Sequence, residues 1–197
     1  MSSDFWKKIW DKKGLSESTD LLFLDGYEHL KIQFSSFEIC KKIISLSDIK
    51  VGDSILEVGC GAGFLSREFQ NDYNYVGVDY SSPIIDKHRQ LFPKHEILVS
   101  NSNDLPFANE HFDFVFCFGL FQYLKDMDHA KQTISEMYRV SKNGIFLGDL
   151  KSEKTRKEHF VYPKKDLQKI GFQISECAYD SKDVHRLNAV LMKRGNK

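Results

Sequence analysis

An apolar run that breaks into three closely spaced glycines constrains the fold of this chain more than any other stretch. Residues 53–58 have the sequence Asp-Ser-Ile-Leu-Glu-Val, and glycines follow at positions 59, 61 and 63 before apolar residues resume at helical spacing. Ile55, Leu56 and Val58 are typical of a strand that is buried on both faces. Glycine lets the backbone turn sharply and approach a ligand where a Cβ atom would clash. The stretch therefore predicts a strand, a tight turn and a helix whose first free amides point at a ligand.

Two acidic residues indicate which kind of ligand this turn serves. Glu57 ends the first strand, and Asp79 ends the next apolar strand, Tyr75 to Asp79. An acidic side chain at the second position contacts ribose hydroxyls in nucleotide-binding units, because a carboxylate accepts hydrogen bonds from both hydroxyls. The turn lacks the final glycine of the dinucleotide fingerprint, so a nicotinamide cofactor is disfavoured.

With Glu57 in front of it, the glycine turn resembles the first motif of class I S-adenosylmethionine-dependent methyltransferases of the small-molecule type. Residues 99–107, 112–116 and 137–149 resemble later family segments in the family's order. One position departs from the pattern, since Asn101 stands where the family has an aspartate that accepts from the adenine amino group. The resemblance covers residues 50–150, and it implies S-adenosylmethionine as cofactor and S-adenosylhomocysteine as product.

The resemblance also implies roles for single residues. Asp79 is expected to hold the ribose, Glu57 to orient the amino-acid end of the cofactor and Asn101 to accept from adenine. The complete set of expected cofactor contacts is Glu57, Gly59, Cys60, Gly61, Gly63, Asp79, Tyr80, Asn101, Ser102 and Phe118. Neither a three-carboxylate site nor a metal-binding histidine spacing is found in the sequence, so no metal ion is expected.

Helix and strand patterns alternate after the glycine turn. The predicted elements are helix 64–71, strand 74–79, helix 83–92, strand 95–99, strand 112–118, helix 127–141, strand 144–149, helix 164–170, strand 172–179 and strand 187–193. Such alternation predicts a parallel sheet with helices on both faces, and the last two strands indicate an antiparallel hairpin. The expected fold class is therefore α/β, a doubly wound, Rossmann-like sheet of seven mostly parallel strands with a C-terminal antiparallel hairpin.

Residues 1–49 precede this core and predict an N-terminal helical lid. Trp6 and Trp10 lie at helical spacing, and further helical patterns run from Leu21 to Phe34 and over residues 37–46. Packing of the tryptophans on the core is the alternative to a role at a ligand pocket. A chain of 197 residues favours one domain, made of lid 1–49, cofactor core 50–150 and C-terminal helix and hairpin 151–197.

The acceptor is expected at the end of the fourth strand, where open α/β sheets keep their reacting groups. Candidate substrate contacts are Tyr27, Gln122 and Asp149, and candidate catalytic groups are His29, Tyr123 and His159. Simple packing is the alternative for Tyr123, and an ordinary surface or core role is the alternative for each histidine. Positioning of an activated methyl donor supplies most of the rate, so a base is needed only for a protonated alcohol or amine.

The amino-acid composition limits the kinds of binding partner that are expected for this protein. Lys plus Arg and Asp plus Glu number 28 each, so the formal charge of zero gives no general attraction to nucleic acid or anionic membrane. The 4 cysteines are widely spaced and no long apolar run is present, which favours a cytoplasmic protein without a membrane span. We expect transfer of a methyl group to a small polar acceptor, phosphorylated or nucleotide-linked if the basic run at 151–157 covers the site. A catalytically inert cofactor-binding subunit and a nicotinamide oxidoreductase are the alternatives, and the oligomeric state is left open.

Overall fold

A seven-stranded sheet forms the centre of the part of the chain that the computed structural model describes, residues 4–28, 35–69, 71–153, 156–177 and 186–193. Its strands are β1 (Ser54–Val58), β2 (Asn74–Asp79), β3 (Glu96–Val99), β4 (Phe114–Phe118), β5 (Gly144–Lys151), β6 (Gln173–Glu176) and β7 (Arg186–Met192). They lie in the order β3, β2, β1, β4, β5, β7, β6. The first five in this order are parallel, whereas β7 is antiparallel to β5 and β6. The predicted fold class is confirmed.

Helices cover both faces of the sheet because strand side chains alternate between the two faces. The helices of the described residues are α1 (Asp4–Gly14), α2 (Leu21–Leu24), α3 (Ser36–Ser47), α4 (Ser82–Leu91), α5 (Met127–Val140) and α6 (Lys164–Ile170). Ile55 and Phe116 belong to the core that includes α3, and their neighbours Leu56 and Val115 belong to the core that includes α5. None of these helices has the length and apolar composition that crossing a membrane requires.

The chain after the glycine turn differs from the predicted helix over 64–71, and that prediction is wrong. In the described part of this range, only a 3-10 turn is present, at Ser66–Glu68. Gly63 has a φ of +107°, outside the right-handed helical region. The amides of Ala62 and Phe64 donate instead to the side chain of Asp25.

The helix predicted from Leu21 to Phe34 is also shorter in the structure. The α2 helix ends at Leu24, and Gly26 has a φ of +83°, which a helix cannot continue through. Residues 29–34 lie outside the described part of the chain. The loop from Asp25 to Glu28 therefore returns to the sheet, and it places new side chains at the carboxyl edge of β1.

The first helix docks against the start of α4. A Cβ atom built on Gly14 would lie 2.4 Å from the backbone nitrogen of Ile84, so the two backbones approach each other at a distance that only glycine permits. Beside this contact, the hydroxyl of Ser81 donates to Asp11 at 2.6 Å. Because β2 ends two residues before Ser81, α1 is fixed next to the carboxyl end of β2.

Candidate functional site

A cavity lies at the carboxyl ends of β1, β2 and β4. Ligands of open α/β sheets bind where the strand order reverses, and here that point lies between β1 and β4. The predicted site residues that line this cavity are Tyr27, Glu57, Gly59, Cys60, Gly61, Asp79, Tyr80, Asn101, Ser102, Phe118 and Tyr123. Most of the residues predicted as cofactor contacts are therefore brought together, although they come from four separate segments.

The glycine turn has the conformation that its sequence predicts at two positions. Gly59 and Gly61 have φ values of +80° and +53°, in the left-handed region that side chains rarely adopt. Gly63 is placed differently, since it does not line the cavity and its α-carbon faces the ring of Phe92, where a Cβ atom would lie 2.8 Å away. Its structural role is close packing beneath the turn, and its role as a cofactor contact stays a prediction.

Asp79 is held at the cavity by backbone amides. Its Oδ2 accepts from Gly61 N at 3.3 Å, and its Oδ1 accepts from Ser81 N at 3.0 Å. Burial raises the pKa of this carboxyl to about 6, although the amide hydrogen bonds oppose the shift. The side chain is thereby oriented, and a carboxylate has acceptor capacity beyond these amides for a ligand hydroxyl.

Glu57 lies deeper, at the end of β1, and is only 3% exposed. Its Oε2 accepts from the hydroxyl of Tyr75 at 2.6 Å. Burial raises the pKa of Glu57 well above its ordinary value, and the nearby Asp25 and Asp79 raise it further. A cation in the cavity would offset this cost of ionisation.

Asp25 was not predicted as a site residue, yet it occupies the glycine turn. Its Oδ1 accepts from Ala62 N at 2.6 Å and its Oδ2 from Phe64 N at 2.8 Å. Burial raises the pKa of Asp25 to about 7, against the effect of these two amides. The amides that the sequence assigned to a ligand are thus taken by a carboxylate of the same chain.

Three residues of the loop after β3 also line the cavity, namely Ser100, Asn101 and Ser102. Ser100 N donates to the carbonyl of Asp79 at 2.9 Å, which joins this loop to the end of β2. Asn101 accepts from Asp104 N at 3.2 Å through its backbone carbonyl, and the hydroxyl of Ser102 lies 2.9 Å from that of Thr133. These bonds fix the loop that is predicted to meet adenine.

A buried histidine supports the glycine turn from below and was also missed by the sequence reasoning. His88 is fully buried, and its Nδ1 lies 2.9 Å from the carbonyl oxygen of Gly61. Because a carbonyl only accepts, Nδ1 carries the proton, and Nε2 is left to accept from Ser66 or His95, each 3.1 Å away. Burial lowers the pKa of His88 to about 4, so the ring is neutral at pH 7.

An aromatic wall adjoins the cofactor half of the cavity. The ring of Tyr123 makes edge-on contacts with Trp6 at 4.7 Å and Trp10 at 5.1 Å, and both Trp10 and Tyr123 line the cavity. Tyr27 completes the wall through its contact with the ring of Phe64 at 5.0 Å. Burial raises the pKa of Tyr123, so its hydroxyl stays protonated at neutral pH and serves as a donor.

Three other predicted acceptor or catalytic residues do not line the cavity. His159 stacks on Trp6 at 5.5 Å, and burial followed by the charges of Lys151 and Arg156 lowers its pKa to about 4. Gln122 and Asp149 are 4% and 2% exposed, and Asp149 pairs with Arg186. His29 lies outside the described residues. In the described part of the chain, no group of three or more metal-ligating side chains could hold a metal ion.

Comparisons with known proteins agree with this geometry. Residues 55–144 match the family model described as "Methyltransferase domain". An uncharacterized protein of Methanocaldococcus jannaschii, MJ1252, is 31% identical over 145 residues, which cover 72% of this chain and 49% of that protein. Malonyl-[acyl-carrier protein] O-methyltransferase of Serratia marcescens is 24% identical over 108 residues, which cover 54% of this chain and 41% of that enzyme. This chain thus spans about half the length, or less, of these curated relatives.

Solved structures show the same fold over nearly the whole chain. The N-methyltransferase NodS of Bradyrhizobium japonicum, solved with S-adenosyl-L-homocysteine, superimposes with a TM-score of 0.71 and 17% identity, covering 94% of this chain and 97% of NodS. The residues that match the family model include the glycine turn, and the superimposed structure covers the sheet that carries this turn. The chain carries a methyltransferase domain in the fold of the S-adenosylmethionine-dependent enzymes.

The residues of this methyltransferase fit its family's cofactor in charge and in shape. S-adenosylmethionine carries a sulfonium and an ammonium group, and the described cavity wall presents the carboxyls of Asp25, Glu57 and Asp79. The absence of Cβ atoms at Gly59 and Gly61 leaves the backbone accessible to a ligand beside these carboxyls.

Proposed function

We propose that this protein transfers the methyl group of S-adenosylmethionine to a small polar acceptor. The observation that supports this function best is a single cavity that joins the carboxyls of Glu57 and Asp79 to the aromatic wall of Trp10 and Tyr123. The first two side chains face a cofactor, and the second two provide a water-poor surface for an acceptor. The reaction needs both surfaces next to each other, because attack occurs in line with the bond from sulfur to the methyl carbon.

The cofactor supplies an activated methyl group, and the protein supplies position. Asp79 holds the ribose hydroxyls, because its carboxylate is already oriented by two amides and keeps acceptor capacity. Glu57 orients the amino-acid end from below. Trp10 and Tyr123 exclude water, and the Tyr123 hydroxyl donates a hydrogen bond to the acceptor. A bound cofactor would give up its methyl carbon to the acceptor's lone pair and keep the electron pair on its sulfur, and any proton on the acceptor would pass to solvent or to a base.

A phosphorylated or nucleotide-linked acceptor is the finer form of this proposal. It is supported by Lys151 and Arg156, whose charges lie close enough to His159 to contribute to its lowered pKa. His159 in turn stacks on Trp6, next to the aromatic wall. Basic side chains at this distance from the wall would favour an acceptor that carries an anionic group outside the cavity.

The N-terminal segment is proposed to act as the lid of this site. It contributes Trp10 from α1, and Asp25 and Tyr27 from the loop after α2, to the cavity wall. Trp6 also donates from Nε1 to the carbonyl of Glu158 at 3.4 Å, which links α1 to the segment after β5. Closure of these parts around a bound acceptor would exclude water from the reacting atoms.

Calorimetry with Asp79→Ala tests the cofactor assignment. Wild-type protein should bind S-adenosylmethionine and S-adenosylhomocysteine, and the variant should bind them about 1.5 to 3 kcal/mol more weakly, the range for losing a charge-assisted hydrogen bond. Asp86→Ala is the matched control, because Asp86 lies on the neighbouring α4 with its side chain 65% exposed and should leave affinity unchanged. Binding of NAD with no binding of either sulfur compound would refute the proposal.

The acceptor is identified by turnover. A panel of small acids, phosphorylated metabolites and sugar nucleotides is incubated with S-adenosylmethionine, and release of S-adenosylhomocysteine is measured. Turnover that depends on one compound and is lost in Asp79→Ala supports methyl transfer. Cofactor binding without turnover on any class in the panel would favour a cofactor-binding subunit instead.

A further inference from the structure

We propose that Asp25 recognises the amino-acid end of the cofactor, as a specificity residue supplied by the N-terminal segment. This inference rests on the proposed function, since it concerns the same cavity. The carboxylate of Asp25 lies directly on the glycine turn, where a Cβ atom at Gly61 would come within van der Waals overlap of its Oδ1. Asp25 lines the cavity together with Glu57, the residue already expected to face that end.

The two backbone amides orient Asp25 without saturating it. Ala62 N and Phe64 N each donate to a different oxygen, so each oxygen retains one acceptor site. A carboxylate that is fixed in this way presents preorganised acceptors, and no side-chain freedom is lost when a ligand donor arrives. The donor that such acceptors select is a cation such as a primary ammonium.

The charges around the cavity favour an ammonium over an anion. Among the described residues that line the cavity, Lys125 is the one lysine or arginine, and its ammonium lies 3.8 Å from Asp126. Lys13 approaches Asp25 from α1, but it binds Glu28 at 3.0 Å and the carbonyl of Phe23 at 2.5 Å. A ligand cation would offset the charge of these carboxyls when they are ionised, and the amino-acid end of the cofactor carries an ammonium beside its carboxylate.

Binding of two related ligands can distinguish recognition of the amino-acid end by Asp25 from a purely structural role of Asp25 in the glycine turn. S-adenosylhomocysteine contains the amino-acid end, whereas 5′-methylthioadenosine has the same adenosine without the amino and carboxyl groups. Asp25→Asn keeps the size of the side chain and removes its charge. The matched control is Asp20→Asn, because exposed Asp20 caps α2 by accepting from Leu22 N at 2.9 Å and asparagine caps equally well.

Calorimetry at pH 8 should show that Asp25→Asn weakens S-adenosylhomocysteine binding about tenfold or more and changes 5′-methylthioadenosine binding less than about twofold. Asp20→Asn should match wild type for both ligands. Equal losses for both ligands would mean that Asp25 acts only by shaping the turn, and would overturn the proposal. Unchanged or tighter S-adenosylhomocysteine binding would overturn it too. The carboxylate would then contribute nothing to binding, or it would compete with the ligand for the amides of the glycine turn. Wild-type protein that binds neither ligand would refute the proposed function itself.

A measurement on the wild-type protein avoids any effect of the substitution on folding. The groups that face Asp25 are Glu57, Asp79, Lys13, Tyr27 and Cys60. Burial raises the pKa of Asp25 to about 7 and that of Asp79 to about 6, so Asp25 becomes neutral before Asp79 as the pH falls. Between pH 8 and pH 6.5, S-adenosylhomocysteine affinity should therefore decrease more than 5′-methylthioadenosine affinity. Parallel pH profiles for the two ligands would contradict recognition by Asp25.

Discussion

Gly14→Ala tests whether the docking of α1 on α4 builds the aromatic wall. The new Cβ atom would lie 2.4 Å from Ile84 N and 2.4 Å from the carbonyl carbon of Pro83, and both are backbone atoms that cannot rotate away. Real Cβ atoms do not approach this closely, so α1 must shift or detach. Because Trp6 and Trp10 are carried on α1, the wall that contacts Tyr123 should move with it.

The magnitude follows from two opposing effects. Overpacking costs about 1 to 3 kcal/mol, and contact with rigid backbone places this site in the upper half of that range. Alanine gains at most about 1 kcal/mol over glycine in a helix, and less at its last residue. The net loss of about 1 to 2 kcal/mol should lower Tm by about 2 to 8 °C for a chain of this size.

Intrinsic fluorescence reports on this change directly, since both tryptophans of the chain are on α1. The emission maximum should move to longer wavelength in Gly14→Ala, and quenching by acrylamide should increase. Lys8→Ala is the control, because Lys8 is exposed on the same helix and its truncation should leave emission and Tm unchanged. Wild-type emission together with an unchanged Tm in Gly14→Ala would refute the close docking of α1.

Two further predictions concern single ionisable groups. Burial would raise the pKa of Asp113, but hydrogen bonds from Ser54 and Lys142 outweigh it and lower the pKa from 3.8 to about 2. The resulting stability is present above about pH 4 and is lost as the pH falls through 2. Asp113→Asn should therefore lower the free energy of unfolding, measured with urea, by at most about 2 kcal/mol at pH 7 and by little at pH 2. Burial lowers the pKa of His159 to about 4, so an NMR titration, with His159→Gln to assign the signal, should show a neutral ring throughout pH 6 to 8. A midpoint near 6.5 would contradict the burial of this ring against Trp6.

The sequence determined the sheet and the cofactor edge because these depend on local patterns. Continuous apolar runs predict strands buried on both faces, and β4 and β5 have that burial along nearly their whole length. The turn at Gly59 and Gly61 could be predicted because a positive φ strongly favours glycine. Asp79 was interpretable because a strand end is a fixed position relative to the turn of the preceding strand.

Contacts between distant segments determine which side chain occupies the glycine turn and which rings form the aromatic wall. Asp25 reaches amides 37 and 39 residues later in the chain, and His88 reaches a carbonyl 27 residues earlier. No periodicity encodes such contacts, because they depend on how α1 and α4 dock and not on local spacing. The prediction of a helix after the turn was wrong because Gly63 has a positive φ and only a short 3-10 turn follows it, which apolar spacing alone does not reveal. Packing between distant segments therefore determines which side chains meet in the site. Local backbone preference determines the strands and turns that carry them.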